Sequence, residues 1–214
     1  MLVQEQPYED SDEALIRAVR DGQLEQYAAL IKRYQQRLYV YCYHLLMQRE
    51  EAEDAVQDVL IKGYEKLSLY TYNQSFSAWL YKIAYYHCLN LLRKRKVTTL
   101  MMKLLKPLGN ENVDDGYAIA RQKEVLTQME FALQQLTLVE RSLIVLRVIE
   151  RQSYDEISQS FPQSPTALRK KAGRSLSKLK KIWKELEGVE IEEPHTRRLA
   201  HESDIIGRAI TPDR

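Results

Sequence analysis

The sequence predicts an all-α protein of two helical domains joined by a flexible linker, the second containing a helix-turn-helix. Three observations carry this. Where a pattern is visible, apolar residues recur at steps of three and four, the spacing of one helix face, and the first block shows no strand-like alternation. Glycine and proline are scarce, at 7 and 6 of 214 residues, so few positions break a helix. The turn formers Pro107, Gly109, Asn110, Asn112, Asp114, Asp115 and Gly116 gather in one stretch and divide the chain in two.

Residues 1–10 show no periodicity and are expected to be disordered. The first block spans 11–96. Asp12 to Val19 reads as a short helix that Gly22 interrupts. Tyr27, Leu30, Ile31, Tyr34, Leu38, Tyr41, Leu45 and Leu46 then mark a long amphipathic helix. A third runs from Glu51 to Leu67, with Ala52, Val56, Val59, Leu60, Gly63 and Tyr64 on its inner side. The fourth begins at Ser75, whose hydroxyl stands where it can cap a free backbone N–H. Its apolar stripe is Phe76, Trp79, Leu80, Ile83, Ala84, His87, Leu91 and Leu92. Tyr81, Lys82, Tyr85 and Tyr86 are expected on the opposite face, and Arg93 to Lys96 form a basic end.

Residues 97–116 are the linker, and 117–186 the second block. There Leu143, Ile144, Leu146, Val148 and Ile149 make an apolar helix, and Arg151-Gln152 a short turn. Ser153-Tyr154-Asp155-Glu156 has the form of a capping box, each end bonding the other's backbone N–H. Pro162-Gln163 is a second turn, and Ser164-Pro165 opens the last helix with an N-cap and a proline at the first helical position. Two helices about a short turn, the second strongly basic, read as a helix-turn-helix. Residues 187–214 carry mixed charge without periodicity, a tail expected to be disordered or ordered by a partner.

Composition narrows the function. With 44% hydrophobic residues the chain can build cores, and 29% charged residues suit a soluble protein. The net charge of +2 hides an asymmetry. From Ser164 to Lys184 eight Lys or Arg residues stand with no Asp or Glu, which marks a nucleic-acid face. Cys42 and Cys88 lie in apolar helical patterns outside any CxxC pair, so reduced buried thiols are expected and neither zinc nor a disulfide framework. The first residues lack the pattern of a signal peptide, and no apolar stretch approaches the ~20 residues of a membrane span, so a cytoplasmic protein is expected. His44, His87, His195 and His201 show no HExxH spacing, and neither a phosphate-cradling glycine loop nor a nucleophile elbow occurs. No enzyme activity, metal or cofactor is expected.

The remaining chemistry is that of binding. Tyrosine rings beside cations on the Ser75 helix suit unstacked bases and their phosphates, although a Tyr-rich helix is also an ordinary packed element. In the last helix, residues near the N-terminus enter the major groove, so Ser164, Thr166, Arg169 and Lys170 are the candidates there. Arg169 can bond guanine O6 and N7 together. Lys171, Arg174 and Lys178 are phosphate candidates. Lys180, Lys181 and Lys184 also fit a solvated helix end complementing the helix dipole.

Three runs in order carry a family resemblance over about residues 12 to 184. They are Glu53-Asp54-Ala55-Val56-Gln57-Asp58-Val59-Leu60-Ile61-Lys62-Gly63-Tyr64, then Phe76-Ser77-Ala78-Trp79-Leu80-Tyr81-Lys82-Ile83-Ala84, and Ser153-Tyr154-Asp155-Glu156-Ile157. Together they resemble bacterial sigma factors of the compact extracytoplasmic-function group. Tyr85-Tyr86 stands where that family usually has Arg-Asn, and Ala172-Gly173 where it has Leu-His. The resemblance implies that Asp54, Gln57, Asp58, Leu60 and Ile61 bind core RNA polymerase. It implies that Tyr72, Asn73, Ser75, Lys82, Tyr85, Tyr86, Asn90, Arg93 and Lys94 hold the melted −10 element. The last helix would bind the duplex −35 element, and an anti-sigma factor is a further candidate partner; membrane insertion is not expected. A conventional helix-turn-helix regulator with a helical interaction domain is the alternative, and a sigma-like decoy that reads no DNA a third.

Overall fold

The computed structural model describes residues 11–105 and 128–186. The readings of 1–10, of most of the linker, of 117–127 and of the tail 187–214 lie outside the described residues. The described residues form helices and turns, with no strand among them.

The first block contains α1 (Asp12–Arg20), α2 (Tyr27–Leu46), α3 (Arg49–Glu65) and α4 (Phe76–Leu105). Short 3-10 turns occupy Leu24–Gln26 and Leu67–Leu69. Ser11 caps α1 by accepting from the Ala14 N–H, and Asp12 and Glu13 against Arg17 and Arg20 complement its dipole. Gly22, at φ 97°, takes the left-handed conformation that turns the chain toward α2. The α2–α3 corner is tight, with Met47 itself left-handed. Gly63 lets α3 lie close against its neighbours. A Cβ there would stand 3.0 Å from the Leu80 side chain and 3.0 Å from the Tyr27 hydroxyl. That hydroxyl donates to the Leu60 carbonyl at 2.7 Å, and burial pushes its pKa up to about 12. Cys42 and Cys88 are free thiols buried in the same core.

Helix α4 is longer than the sequence pattern predicts. It continues from Lys96 through Leu105, so the expected linker begins as helix. The reason is local. Val97 to Leu105 contains no breaker, and the amphipathic pattern lapses only because Val97, Leu100, Met101 and Met102 stay exposed.

The second block contains α5 (Gln128–Gln134), α6 (Leu138–Ile144), α7 (Tyr154–Ser160) and α8 (Pro165–Leu186). Two capping boxes start its middle helices, Thr137 with Glu140 and Ser153 with Glu156. The second is the one expected. At α8 the Ala167 N–H donates to the Ser164 hydroxyl at 3.3 Å, again as the N-cap reading requires. The apolar Leu143–Ile149 stretch departs from a plain α-helix, for its second half, Val145–Ile149, winds as a π-turn. Arg151 then turns left-handed, and Arg147 donates to the Gln152 carbonyl at 2.9 Å to close the corner.

The two blocks share one core. Leu143, Val145, Leu146, Ile157, Phe161 and Leu168 join the cluster built from α1 to α4. Polar groups pin the seam. The Tyr41 hydroxyl lies 2.6 Å from the Ser142 hydroxyl, Tyr43 donates to Glu130, and Ser160 donates to the Ala78 carbonyl at 2.9 Å. Buried Arg141 donates to the Leu133, Gln134 and Leu136 carbonyls and, at 2.8 Å, to the Leu45 carbonyl. It thereby satisfies carbonyls at the C-terminal ends of α5 and α2 at once. Burial lowers its pKa to about 10.

Candidate nucleic-acid and partner interfaces

The first candidate surface is the outer face of α3. Asp54, Gln57 and Asp58 are all exposed there at helical steps. The ridge continues through Ile61, 56% exposed, but not through Leu60, at 8%. Leu60 is therefore a packing residue, because its position faces α2 and its backbone carbonyl holds Tyr27. Tyr64 extends the ridge one step past Ile61 and is half-exposed, not inward as the periodicity suggests, because Gly63 takes the inner position. Sequence reasoning missed it; its signal was the three-residue step from Ile61. Asp58 also faces the α3–α4 seam, 3.4 Å from the Lys62 ammonium and 3.6 Å from His87 Nε2. Lys62 donates to His87 Nδ1 at 2.7 Å. Burial and then Lys62 lower the His87 pKa, so the ring favours its neutral form.

The second surface runs from the loop after Leu69 along α4. Tyr72 and Asn73 are exposed, with the Thr71 hydroxyl donating to Asn73 Oδ1 at 2.5 Å. Tyr72 has cationic company that the sequence did not announce. The Arg17 and Arg20 guanidinium carbons lie 5.8 and 5.4 Å from its ring centroid, within cation–π range. Arg20 also donates to the Leu67 and Tyr70 carbonyls, which fixes the loop's entry. The signal was the i, i+3 spacing of two arginines on α1, but only the tertiary fold brings α1 beside this loop.

Ser75 caps α4, accepting from the Ala78 N–H at 3.2 Å. Trp79 is buried in the core, as its place in the apolar stripe predicts. Tyr81 departs from the expectation. It does not share the outer face of Lys82 and Tyr86 but is 1% exposed, because α2 and the second block cover it. Its hydroxyl donates to Glu150 at 2.5 Å, and its pKa rises far above the usual phenol value, first through burial and then through Glu150. Lys82, Tyr86, Asn90, Arg93 and Lys94 are exposed along one side of the helix. Tyr85 is half-covered, its ring 5.4 Å from Tyr86 and 5.2 Å from Phe161 of the second block.

The third surface is α8. Ser164, Thr166, Arg169, Lys170, Arg174 and Lys178 are exposed, and Lys171 is half-exposed. The Arg169 guanidinium sits 5.4 Å from the Tyr154 ring centroid, with Arg147 5.1 Å from the same ring. A stacked guanidinium is pre-oriented, which favours a planar, bidentate contact. Lys178 lies 3.8 Å from Glu140 and so supports the α6–α8 packing as well. Gly173 is exposed, and a Cβ there would meet no atom within 4 Å.

Comparison with known proteins gives these surfaces a family. Residues 30–98 match the family described as Sigma-70 region 2. Over 81 residues the chain is 33% identical to the ECF RNA polymerase sigma factor SigW of Bacillus subtilis, a match spanning 38% of this chain and 43% of SigW. It is 25% identical to SigX of the same organism over 73% of this chain and 83% of that protein. It is 22% identical to SigM of Mycobacterium tuberculosis over 82% and 86%. These relatives are extracytoplasmic-function RNA polymerase sigma factors. Solved structures share its fold. One is the sigma factor RpoE in complex with the anti-sigma factor NepR from Bartonella quintana, with a TM-score of 0.60 and 19% identity over 75% of this chain and 98% of that one. Another is CnrH in complex with the cytosolic domain of CnrY, with a TM-score of 0.62 and 22% identity over 85% and 100%. The matched residues span most of α2, all of α3 and most of α4. Among the described residues no helix is long and apolar enough to cross a membrane, and no group of three ligating side chains could hold a metal.

Proposed function

We propose that this chain is a sigma factor that joins core RNA polymerase through the α3 ridge, reads the −35 duplex with α8, and captures the melted −10 strand between the Tyr72 loop and α4. It acts in the cytoplasm and catalyses no reaction of its own. The observation that carries this reading is the exposed ridge of Asp54, Gln57, Asp58 and Ile61 on α3. A DNA-binding regulator acting alone has no use for an acidic ridge on the block opposite its helix-turn-helix, whereas a polymerase subunit needs a docking face. Acidic and amide groups around an apolar residue suit a basic partner surface, with steered association and satisfied hydrogen bonds. The sigma factor RpoE was captured with the anti-sigma factor NepR and CnrH with the cytosolic domain of CnrY, and an anti-sigma partner is expected here too.

Transcription from genomic fragments by purified core polymerase, with and without this chain, tests the whole reading. Asp58→Arg should weaken binding to core at least tenfold, about 1.4 kcal/mol, while leaving the far-ultraviolet circular dichroism unchanged. Unaltered affinity in a pull-down would remove the ridge from the interface.

A further inference from the structure

The α3–α4 seam brings a histidine of α4 against the edge of the acidic ridge. The His87 ring meets two side chains of α3, with Lys62 Nζ 2.7 Å from Nδ1 and Asp58 Oδ2 3.6 Å from Nε2. An ammonium can only donate, so Nδ1 is the bare, accepting nitrogen and the ring's proton sits on Nε2, toward the carboxylate. Exposure is graded across the group: Asp58 is 56% exposed and His87 12%, with Lys62 between them. The carboxylate therefore faces outward on the ridge, while the ring anchors the ammonium at the seam.

Lys62 stands one turn past Asp58 and directly after the exposed Ile61. Its four-carbon stem is flexible, so an ammonium released from the ring would reach the ridge and add a cation to its acid and amide groups. A proton on Nδ1 forces that release, because the nitrogen can no longer accept and two cations would face each other. The ring is packed in the seam and stays; Lys62 is half-exposed and moves. The charged ring then pairs through Nε2–H with Asp58, the carboxylate that a basic partner would otherwise engage. The charged groups around the ring are Asp58 and Lys62 on α3 and Lys94 on its own helix. Burial, Lys62 and Lys94 oppose the charged ring and Asp58 favours it, so the proton is gained below the ordinary histidine range.

We propose that His87 is a positioning residue for docking: its neutral ring holds Lys62 back from the α3 ridge and leaves Asp58 to the partner, and a proton on Nδ1 reverses both, so docking weakens in mild acid. The inference rests on the sigma-factor reading for what docks on the ridge. Docking on a basic surface takes Asp58 from the ring and sets further positive charge against it. The docked chain therefore binds fewer protons than the free one. Affinity is complete above the ordinary histidine range and falls as the pH drops through the value of the free chain, by at most about tenfold per pH unit for one proton.

Affinity for purified core polymerase is measured on either side of the histidine range, at about pH 7.5 and about pH 5.5, for the wild-type chain, His87→Gln and His87→Leu. Circular dichroism confirms that the helices persist in both conditions. The wild type should lose about threefold on acidification. His87→Gln, whose amide oxygen accepts from Lys62 but gains no proton, should lose markedly less. His87→Leu offers Lys62 no acceptor and should bind more weakly than His87→Gln at the higher pH. Equal acid losses in wild type and His87→Gln, or equal affinities of the two variants at the higher pH, would overturn the positioning role. Heteronuclear NMR of the ring nitrogens in the free, full chain needs no polymerase. The ring should carry its proton on Nε2 at the higher pH, and Lys62→Met should raise its titration midpoint. A proton on Nδ1 instead, or a midpoint that Lys62→Met leaves in place, overturns the proposal as well. A wild-type chain that does not bind core at the higher pH sinks the sigma-factor reading, and the docking role with it, whatever the ring titration shows.

Discussion

His44 shows how one buried side chain sets a pH limit on this fold. It lies 2% exposed among Tyr43, Glu130 and Arg141, and neither ring nitrogen has a hydrogen-bonding partner among the described residues. Burial lowers its pKa to about 4; Glu130 pulls upward and Arg141 downward. The folded state therefore binds fewer protons than the unfolded state between the ordinary histidine value and about 4. Stability is complete above pH ~6.5 and falls as the pH drops through that window, by about 3 kcal/mol in all. Urea unfolding at neutral and mildly acidic pH should show the loss, and His44→Phe should remove most of it; an equal loss in the variant would move the cause elsewhere. Arg169 is the proposed reader of duplex sequence. If its stacked guanidinium reads a guanine, Arg169→Ala should cost about 1–3 kcal/mol of discrimination at one base pair. Lys178→Ala should weaken all sequences alike and flatten the salt dependence. Equal, sequence-independent losses in competition binding would make Arg169 a phosphate contact.

At the scale of elements, helix ends are where sequence and structure agree best. Ser75, Ser153 and Ser164 all cap as their positions before apolar runs predict, and Ser11 caps α1 in the same way, because capping is a contact among residues three apart. The exception within α8 is Gly173. It occupies a helix interior, is exposed, and nothing crowds its missing Cβ. Gly173→Ala should therefore stabilise the chain by about 0.5–1 kcal/mol, through backbone entropy alone. A higher midpoint in thermal unfolding checks this, and no change or a lower one contradicts it. Gly63 is the opposite case, since its Cβ would press on Leu80 and Tyr27. The two glycines look alike in the sequence and differ only in what packs beside them.

At the scale of the whole molecule, the proposed base-stacking role of the α4 tyrosines ties the fold to strand opening. Stacking on an aromatic ring is worth ~1–3 kcal/mol per base, enough to reward the separation of a few weak pairs. Holoenzyme carrying Tyr85→Ala with Tyr86→Ala should still bind promoter duplex through the second block. It should open the start-site-proximal region poorly, and a pre-melted template should restore much of the activity. Permanganate footprinting of thymines on linear and pre-opened templates reports this directly. Normal opening by the double variant would move base capture to the Tyr72-Asn73 loop. Using holoenzyme matters, because in the free chain Tyr85→Ala also removes a contact that holds the blocks together.

The sequence by itself determined the helical class, the two blocks, the capping residues and the three motif runs. Each depends on residues a few positions apart, and helical periodicity and cap chemistry act over that range. It also placed Asp54, Gln57 and Asp58 on one face and the cations of the last helix on another, since helical spacing alone sorts faces. Which neighbour covers a face was decided only by tertiary structure. Tyr81, read as an outward tyrosine, is buried because α2 and the second block cover it, and its hydroxyl donates to Glu150, 69 residues away. Leu60 packs inward beside an exposed Ile61, Arg17 and Arg20 frame Tyr72, and Gln159 completes the cap that Ala78 cannot. These pairings join residues far apart in the chain, and periodicity says that a face is apolar or polar without saying what will lie against it.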